Sequence, residues 1–473
     1  MKVPSMNDRD FVLPAPRVTP VLDPWYRPAA LVIHEIRRQT KALSDAPIVS
    51  MALEQIDGSV SHFSLSVFPE RHAHSVYNSK FVERLSKFLL WARGGFRIYI
   101  DAPSPVVAHL ERHYAQNPRG QFDDLIIGHK IYDHAIEVVP VREMPPAKGS
   151  SAPLGRHLDG NRIGFDLGGS DRKVAALIDG EVVFSEEVVW DPIKQPNPQY
   201  HFDGIMDSLK RAAAYLPRVD AIGGSAAGVY VNNRVKVASL FRAVPPQLFE
   251  LRVKNLFLEI RQAWNNLPFE LANDGEVTAL AGSMALGKNG VLGIAMGTSM
   301  AAGYVTREGN ITSWLNELAF APIDLRSDGP VDEWSGDFGC GVQYFSQQCV
   351  GRLLGAAGID AEAALPLPEK LKLVQELMDA GDYRARKIYQ TIGVYLGYAI
   401  ALYREFYDFE HLLVLGRVTS GPGGAVTLEE ARRVLDTDFP EVSERVAFHV
   451  PDEKEKRHGQ AIAAASLPVI GAV

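Results

Sequence analysis

Several short runs of this sequence combine glycine with carboxylate, hydroxyl or amino side chains, a composition suited to phosphate binding. The first reads GFDLGGS from position 164. Gly168 and Gly169 let the backbone approach a phosphate closely, while Ser170 and Lys173 add a hydroxyl group and a cation at the same end. Asp166 is suited to hold a hydrated divalent metal ion. A tight hairpin with a capping serine accounts for the same residues equally well.

A carboxylate stands at a predicted strand-to-helix junction in the run FELANDGE, residues 269–276. The apolar residues before it predict a strand, and a pattern of helical period begins near Glu276. Asp274 would therefore lie near the first N–H groups of the helix, which favour its ionised form. Such a group can accept a proton from a hydroxyl. The alternative is that Asn273, Asp274 and the following glycine form only an N-cap and turn.

Two further glycine-rich runs follow predicted strands. The run GIAMGTSMAAG at 293–303 contains Gly297, Thr298 and Ser299. The run LVLGRVTSGPGG at 413–424 contains Gly416 and Gly421. Each alone is consistent with an ordinary turn. Because ligands of α/β proteins bind at the carboxyl ends of strands, the four runs together indicate a ligand site.

The hydrophobic pattern around these runs alternates between strands and helices, which predicts an α/β fold. Glycine turns separate the first three strands, which are expected to be antiparallel. Residues 344–409 are almost entirely of helical period. The predicted strands lie at 162–167, 173–178, 182–189, 219–224, 269–272, 291–295 and 412–415, and the helices before residue 290 at 202–215, 249–264 and 276–286.

The first 150 residues are predicted to form a separate small α/β domain. Residues 144–153 contain proline, glycine and serine with almost no apolar side chain, which is typical of a linker. Within the domain, a hairpin is expected over 48–68 around Asp57-Gly58, followed by helices at 79–93 and 105–114 with a strand between them. A proline-rich arm without regular structure precedes the hairpin.

The composition disfavours several classes of protein. The 473 residues are 46% hydrophobic and 22% charged, and 49 Lys and Arg against 57 Asp and Glu give a net charge of −8. This balance argues against a nucleic-acid partner or an anionic membrane surface. Cys340 and Cys349 are the only cysteines, and neither a signal peptide nor a transmembrane run is recognisable. We therefore expect a cytoplasmic protein without nucleic-acid or membrane partners.

The order of the four runs resembles the actin-like sugar kinase superfamily, and in particular the ROK family of sugar kinases and repressors. The motifs that carry the resemblance are Asp-Leu-Gly-Gly-Ser at 166–170, Asn-Asp at 273–274, Gly-Thr-Ser at 297–299 and Val-Leu-Gly at 414–416. The resemblance covers residues from about 161 onward and implies a two-lobed actin-like ATPase fold of the ribonuclease H type. The expected division is an N-terminal α/β domain at 1–150, a first lobe at 160–290 and a second lobe at 291–473.

The resemblance also implies roles for individual residues. Asp274 would be the catalytic base, and Asn273 and Glu317 would bind the substrate. The nucleotide would be bound by Gly168, Gly169, Ser170 and Lys173 in a first phosphate loop, by Gly297, Thr298 and Ser299 in a second, and by Gly416 and Gly421 beside adenosine, with Asp166 near magnesium. The implied cofactors are ATP and Mg²⁺, and the implied partner is a small sugar or sugar-like substrate.

Three departures from the family pattern bear on this prediction. The sugar-binding Glu-x-Gly-His motif has become Glu317-Leu-Ala-Phe320, and Val342 replaces a second sugar-binding glutamate. The cysteine-rich zinc loop retains only Cys340, and because one thiol cannot hold a structural zinc ion, no zinc is predicted. In the second phosphate loop, Ser299 and alanines replace glycines, which adds side chains where the backbone would approach phosphate.

The leading hypothesis is an ATP-dependent kinase that phosphorylates a hydroxyl of a sugar or sugar-like compound, with a homodimer left open. One alternative is a non-catalytic sugar-binding or regulatory protein on the same fold. The first 150 residues contain no basic recognition helix, so DNA binding is not expected. Another alternative is an ATPase that activates a partner enzyme; such relatives share an iron–sulfur cluster, which two cysteines support poorly.

Overall fold

The computed structural model describes residues 14–149, 154–450 and 453–471. Residues 14–149 are termed the N-terminal unit. Within the described ranges, no helix is long and apolar enough to cross a bilayer. The regular elements of the N-terminal unit are α1 (Ala29–Lys41), β1 (Ile48–Glu54), β2 (Val60–Ser66), α2 (Asn78–Arg93), β3 (Arg97–Asp101), α3 (Ser104–Gln116), α4 (Pro118–Asp123) and β4 (Glu137–Pro140).

The N-terminal unit is built on a four-stranded sheet of order β2-β1-β3-β4. Strands β1 and β2 form the predicted hairpin, in which Glu54 pairs with Val60 on either side of the turn at Asp57-Gly58. Helices α2 and α3 lie where the sequence predicts helices, whereas α1 and a π-helical segment at Asp124–Tyr132 are additional. Almost every residue of α2 is buried, because this helix packs inside the molecule rather than on its surface.

The first lobe contains a five-stranded sheet of order β11-β8-β5-β6-β7. Its first three strands are antiparallel, as predicted, and the other two run parallel to the first. The elements are β5 (Asn161–Leu167), β6 (Asp171–Ile178), β7 (Glu181–Val189), α5 (Pro198–Ala213), β8 (Ala221–Ala226), β9 (Val229–Val231), β10 (Arg234–Val237), α6 (Pro246–Leu248), α7 (Leu256–Ala263), β11 (Phe269–Asn273) and α8 (Asp274–Leu286).

The helix predicted at 249–264 is not continuous. A π-helical turn at Phe249–Val253 precedes α7. The carbonyl of Lys254, between the two segments, accepts a hydrogen bond of 3.1 Å from the N–H of Val235 in β10. The helical pattern in the sequence gives no indication of this tertiary hydrogen bond, so the interruption is not predictable from periodicity.

The second lobe has a four-stranded sheet of order β13-β12-β14-β15, in which an antiparallel hairpin again continues into parallel strands. This repeated arrangement agrees with the two-lobed fold that the resemblance implies. The elements are β12 (Val291–Met296), β13 (Met300–Val305), α9 (Gln347–Ala357), α10 (Leu367–Asp379), α11 (Tyr383–Arg404), β14 (His411–Leu415), α12 (Pro422–Asp438), α13 (Pro440–Ser443) and β15 (Ala447–His449).

The last helix, α14 (Glu453–Ala465), packs on the sheet of the first lobe. A Cβ atom at Gly164 of β5 would overlap the carbonyl oxygen of Ala461, and one at Gly223 of β8 would overlap that of Ala464. Only glycine permits so close an approach of helix and sheet backbones. The division expected from the sequence extended the second lobe to residue 473, but this helix completes the first lobe.

The N-terminal unit and the second lobe share one hydrophobic core, which joins buried residues of α2 and β3 to those of β12, α11 and β14. Buried ion pairs reinforce this junction. A guanidinium nitrogen of Arg84 lies 2.8 Å from the carboxylate of Asp337, and the Nζ of Lys87 lies 2.8 Å from Asp123 and 3.1 Å from Asp337. Although burial lowers the pKa of Lys87, the two carboxylates outweigh it and raise that pKa overall.

Side-chain packing occupies the region where the family pattern has its zinc loop. Phe320, at the position of the family's histidine, lies with its ring centroid 4.4 Å from that of Trp91 in α2 and 5.2 Å from that of Trp334. Cys340 is a buried free thiol, and burial raises its pKa to about 12. Helix α2 and the aromatic rings therefore hold this loop in place.

Candidate active site

Asn273 ends β11 and Asp274 begins α8, at the junction that the sequence predicts. Asn273 is the N-cap of the helix: its side-chain oxygen accepts a 2.7 Å hydrogen bond from the N–H of Gly275, and its amide nitrogen donates to the carbonyl of Gly228 at 2.7 Å. The N-cap alternative is thus correct for Asn273. The same cap fixes the Asp274 carboxylate at the helix N-terminus.

The Asp274 carboxylate is half-buried. Burial, and then the negative charge of Asp166, raise its pKa to about 6, although the N–H of Gly275, 3.0 Å from the carboxylate, opposes the shift. The interaction with Asp166 brings the junction and the first glycine run into electrostatic contact. A carboxylate with this pKa is largely ionised at neutral pH and more basic than an ordinary aspartate.

Asp166 is buried on β5 beside the end of the sheet. Its carboxylate accepts a 2.7 Å hydrogen bond from the hydroxyl of Ser225 on β8, and the Nζ of Lys173 lies 3.7 Å away. Burial raises the pKa of Asp166 against both of these partners. Lys173 also pairs with Asp171 at 2.9 Å, so its cation is held between two carboxylates.

The turn between β5 and β6 carries the predicted first phosphate loop. The N–H of Gly168 donates to the carbonyl of Asp171 at 2.9 Å, and its own carbonyl accepts a 2.8 Å hydrogen bond from the Trp190 indole. Gly169 and Ser170 are exposed, and the Ser170 hydroxyl donates to the Asp171 carboxylate at 2.9 Å. The turn is therefore rigid at its base and accessible at its tip.

The turn between β12 and β13 carries the predicted second phosphate loop. The N–H of Gly297 donates to the carbonyl of Ser299 at 2.9 Å, and the N–H of Gln347 donates to the carbonyl of Gly297 at 2.9 Å. Thr298 and Ser299 are exposed. In the described part of the chain, their side chains form no hydrogen bond with the other predicted site residues. The next strand touches the start of α8, since a Cβ atom at Gly275 would lie 2.7 Å from the carbonyl oxygen of Ala302.

Gly416 and Gly421 follow β14 and lead into α12. Gly416 has φ of 98°, and a Cβ atom there would overlap the carbonyl oxygen of Met296, the residue before Gly297. The two glycine-rich runs of the second lobe therefore meet, as the resemblance implies. Beside Gly421 lies a cavity of about 200 Å³, which we term the tyrosine cavity. Its lining is formed by Gln375, Met378, Asp379, Tyr389 and residues 420–423.

A second cavity, of about 240 Å³, brings Asn273 and Glu317 together, and we term it the carboxylate cavity. Residues of three parts of the molecule line it. The first lobe contributes Leu154 and residues 228–233, 270–273 and 276, the second lobe 312–315 and 317, and the N-terminal unit Gln55, Ile56, Asp57 and Tyr132.

Two glutamates of the carboxylate cavity titrate far above their ordinary range. Burial and the charge of Asp274 raise the pKa of Glu317 to about 7. Burial raises the pKa of Glu276 to about 8; a hydrogen bond of 3.0 Å donated by Asn316 opposes the shift and the charge of Glu317 adds to it. Helix α2 holds Glu317 in place, because the Glu317 N–H donates to the carbonyl of Trp91 at 2.9 Å.

Sequence reasoning missed several residues of this site. Glu276 entered it only as the start of a helix, although it lies two residues after Asp274. Asn316, immediately before Glu317, was not singled out. Gln55 and Asp57 were part of a predicted hairpin turn, and no local pattern indicates that this turn reaches a cavity more than 200 residues away along the chain.

Comparison of the sequence with protein-family profiles and with curated proteins finds no match. Comparison of structures does find similar proteins. A ROK hexokinase from Thermus thermophilus aligns over 65% of this chain and 97% of its own length, with a TM-score of 0.51 and 20% sequence identity. About two thirds of this chain has the ROK fold. A ROK family transcriptional regulator, a homolog of the E. coli MLC protein, aligns over 66% of this chain and 79% of its own, with a TM-score of 0.52 and 20% identity.

Proposed function

We propose that this protein is an ATP-dependent kinase that transfers a phosphoryl group to a hydroxyl of a sugar or sugar-like compound. The observation that carries the proposal is the setting of Asp274. It is a half-buried carboxylate with a pKa of about 6 at a helix N-terminus, where it interacts electrostatically with Asp166 and with Glu317 of the carboxylate cavity. Phosphoryl transfer needs positioning, neutralisation of charge and one carboxylate that accepts the proton of the attacking hydroxyl.

In the proposed reaction, Asp274 accepts the hydroxyl proton as the acceptor oxygen bonds to the terminal phosphorus of ATP and the bond to the leaving ADP oxygen breaks. Asn273 and Glu317, which line the carboxylate cavity, would hold the acceptor by hydrogen bonds to its other hydroxyls. Hydrogen bonds of this kind orient the reacting hydroxyl, and orientation provides much of the rate gain in such transfers.

The residues proposed for the nucleotide fit it. The turns at Gly168-Gly169 and at 297–299 are accessible at their tips, and backbone N–H groups of such turns suit phosphate oxygens. Nothing lies within 4 Å of a Cβ position at Gly421, at the rim of the tyrosine cavity. In that cavity the Tyr389 hydroxyl is buried without a hydrogen-bond partner in the described structure. An aromatic ring and an unsatisfied polar atom are features that a purine base can use.

Asp166 is the proposed residue for magnesium. Its buried carboxylate lies near both the first turn and Asp274. Mg²⁺ usually keeps several waters and binds through one or two carboxylates plus substrate phosphates, so a single protein carboxylate suffices. When bound, the ion would neutralise negative charge on the phosphates. Lys173 would add a second positive charge once released from Asp171.

In the proposed arrangement, the first lobe binds the acceptor and carries the base, and the second lobe binds adenosine. The N-terminal unit forms one wall of the acceptor site. We also propose a cytoplasmic site of action without nucleic-acid partners. Two free thiols suit a reducing compartment, and a net charge of −8 disfavours polyanionic partners.

A non-catalytic sugar-binding protein is the second candidate, and one observation favours it. In the second turn, Ser299 and the alanines after it add side chains where the resemblance predicts bare backbone. The ROK regulator also aligns with a TM-score as high as that of the hexokinase. Such a protein would bind its ligand in the carboxylate cavity without using ATP.

Two measurements separate the candidates. The purified chain is incubated with Mg–ATP and a panel of sugars, amino sugars and polyols, and mass spectrometry is used to detect an added phosphoryl group. Calorimetry with Mg–ATP measures nucleotide binding directly. The kinase proposal expects a phosphorylated product from at least one panel member and nucleotide binding in the millimolar range or tighter. Absence of nucleotide binding, with sugar binding retained, would favour the second candidate instead.

A further inference from the structure

The carboxylate cavity has a wall that the ROK fold itself does not supply. The β1–β2 turn of the N-terminal unit contributes Gln55, Ile56 and Asp57 to its lining. The Thermus thermophilus hexokinase aligns over 97% of its length with only 65% of this chain, so about a third of this chain has no counterpart there. Residues 154–450 and 453–471, which form the two lobes and α14, have about the length of the aligned share, and we therefore infer that the N-terminal unit is the part without a counterpart.

The turn is held firmly at this wall. The hydroxyl of Ser313, in the segment that leads to Glu317, donates to Gln55 at 3.1 Å and to the Asp57 carboxylate at 3.3 Å. The side-chain amide of Gln55 donates to the carbonyl of Arg93 at the end of α2. Asp57 itself remains exposed. Its carboxylate also accepts a 2.9 Å hydrogen bond from the N–H of Ser59, so it is held at the cavity while remaining exposed to a ligand.

The described ionisable side chains that line the cavity include several acids and no base. The lining contains the carboxyl groups of Asp57, Glu270, Glu276 and Glu317 and four side-chain amides, and among the described lining residues there is no lysine, arginine or histidine. The nearest cation of α2, Arg93, lies behind the Trp314 ring, 3.2 Å from its centroid. Lys236 of β10 pairs with Asp133 instead. Two further cations lie outside the lining: the Nζ of Lys148 is 3.4 Å from a Cβ position at Gly58, and the charge of Arg261 opposes the effect of burial on the pKa of Glu270.

A resident metal ion does not explain this charge. Within the described ranges, no three His, Cys, Asp or Glu side chains come close enough together to hold a metal ion. The carboxyl groups are spread around a space of about 240 Å³, which suits a small molecule. Burial raises the pKa values of Glu276 and Glu317 to about 8 and 7, so neither is fully ionised at neutral pH, and a ligand that brings a cation favours their ionised forms.

We propose that the acceptor is a polyhydroxy compound bearing a free amino group, such as an unacetylated amino sugar or an aminocyclitol, and that the N-terminal turn forms part of its binding site. This proposal rests on the proposed function only in calling the ligand an acceptor. An ammonium group would donate charge-assisted hydrogen bonds to the carboxylates, while its hydroxyls would pair with the amides of Gln55, Asn233 and Asn273. A carboxylate or phosphate on the ligand would find no cation among the described lining residues to pair with.

The test uses calorimetry on the full chain without ATP. The probes are aminodeoxyglucoses with the amine at each ring position, each compared with glucose, with its N-acetyl derivative and with glucuronate, at a pH where the amine is charged. At least one amine is expected to bind ten or more times more tightly than glucose, because a desolvated charge pair contributes more than a neutral hydrogen bond. Acetylation is expected to remove that preference, and glucuronate is expected not to bind.

Two variants test which carboxyl groups produce the preference for the amine. Asp57→Asn is expected to weaken binding of the preferred amine about two- to fivefold, the range for a partly exposed charge pair, with little change for glucose. Glu276→Gln, which keeps an acceptor for Asn316, is expected to weaken it at least tenfold. Asp101→Asn, at the end of β3 and paired with Ser50 of β1 far from the turn, is the matched control and is expected to change nothing.

The outcomes separate this inference from the kinase proposal. Amine preference without any phosphorylated product would support the inference and contradict the kinase. Phosphorylation of neutral or acidic sugars with no preference for the matched amine would support the kinase and overturn the inference. Failure of every probe to bind, or an Asp57→Asn variant identical to Asp101→Asn for the amine, would also overturn it.

Discussion

The two ends of the candidate site are built on different physical principles. Around the carboxylate cavity, side chains dominate: Asp274, Glu276 and Glu317 are withdrawn from water and their pKa values rise to about 6, 8 and 7. Around the two phosphate-loop turns, backbone dominates, and Thr298, Ser299 and Ser170 lie exposed. Buried carboxyl groups thus surround a cavity at one end, whereas accessible backbone groups form the other end.

This contrast indicates where specificity lies. Buried, fixed side chains discriminate between ligands, because a mismatched group leaves a polar atom unpaired. An open turn of backbone N–H groups recognises phosphate oxygens and little else. The departures from the family pattern fall on both ends, but only at the carboxylate end does the N-terminal unit contribute lining residues.

The largest expected effect comes from replacing Asp274, the proposed catalytic base that lies between the two ends of the site. Asp274→Asn is expected to lower the rate of phosphoryl transfer about 10²- to 10⁴-fold, the usual contribution of a general base. Binding of nucleotide is expected to change little, since the nucleotide turns are formed by other residues. Rates are followed by ADP release with the best panel substrate, and Asp101→Asn is the control. Unchanged turnover in Asp274→Asn would contradict the role of Asp274 as the base that acts between the acceptor end and the nucleotide end.

Next in size is the junction that supports the carboxylate end. Lys87→Met leaves the carboxylates of Asp123 and Asp337 buried without this partner, and loss of one member of a buried ion pair typically costs about 3–5 kcal/mol. A decrease of that order in the free energy of unfolding, or failure to fold, is expected in urea denaturation. Lys41→Met, at the exposed end of α1, is expected to have almost no effect. Equal midpoints for the two variants would contradict a supporting role for this network.

The third effect depends on pH and arises from the raised pKa of Glu276. A carboxyl whose pKa is higher in the folded than in the unfolded state binds more protons when folded, so its contribution favours folding at low pH and is lost as pH rises toward 8. Glu276→Gln removes this loss of stability at high pH, because glutamine does not ionise. Relative to the parent chain, the variant is therefore expected to gain roughly 3–4 kcal/mol of stability between pH 5 and 8.5, because the pKa of Glu276 rises from its ordinary value to about 8 and each pKa unit corresponds to 1.36 kcal/mol.

This gain is measured by urea denaturation at both pH values. The control is Glu181→Gln at the exposed start of β7, which is expected to show no such pH-dependent difference. A stability difference between Glu276→Gln and the parent that stays constant with pH would mean that Glu276 is not an isolated buried acid, and the description of the carboxylate end would need revision.

The smallest effect is expected at the nucleotide end. Ser299→Gly restores the residue type of the family pattern in the second turn, and because the Ser299 side chain is already exposed, the KM for ATP is expected to fall by about two- to threefold at most. Steady-state kinetics with varied ATP measures this change. A decrease of tenfold or more would show that side chains, and not backbone alone, govern this end as well.

Local patterns were sufficient for much of the fold. The hairpin at 48–68, the three strands from 161 to 189 and the strand-to-helix junction at Asp274 all follow from alternating or helical periodicity and glycine turns. The four glycine-rich runs indicated the two-lobed architecture because their order, rather than any one of them, is characteristic. These are features that depend on residues close together in the sequence.

Long-range contacts account for what the sequence did not predict. The carboxylate cavity joins residues near 55, 230, 270 and 315, and no local pattern links those segments. The interruption before α7 lies where the chain makes a hydrogen bond to β10. The final helix joins the first lobe because Gly164 and Gly223 allow close packing on the sheet, a fact visible only when both partners are in place.

The shared core of the N-terminal unit and the second lobe has a consequence for motion. Gln55, Asp57 and Glu317 belong to the body formed by the N-terminal unit and the second lobe. Asn273 and Glu276 belong to the first lobe. A hinge rotation that separates the lobes would therefore separate the two sides of the pocket. The lining of the pocket is complete only while the two bodies keep the arrangement described here. Ligand capture and domain closure would then be a single event, which couples selection of the small molecule to the approach of the second lobe.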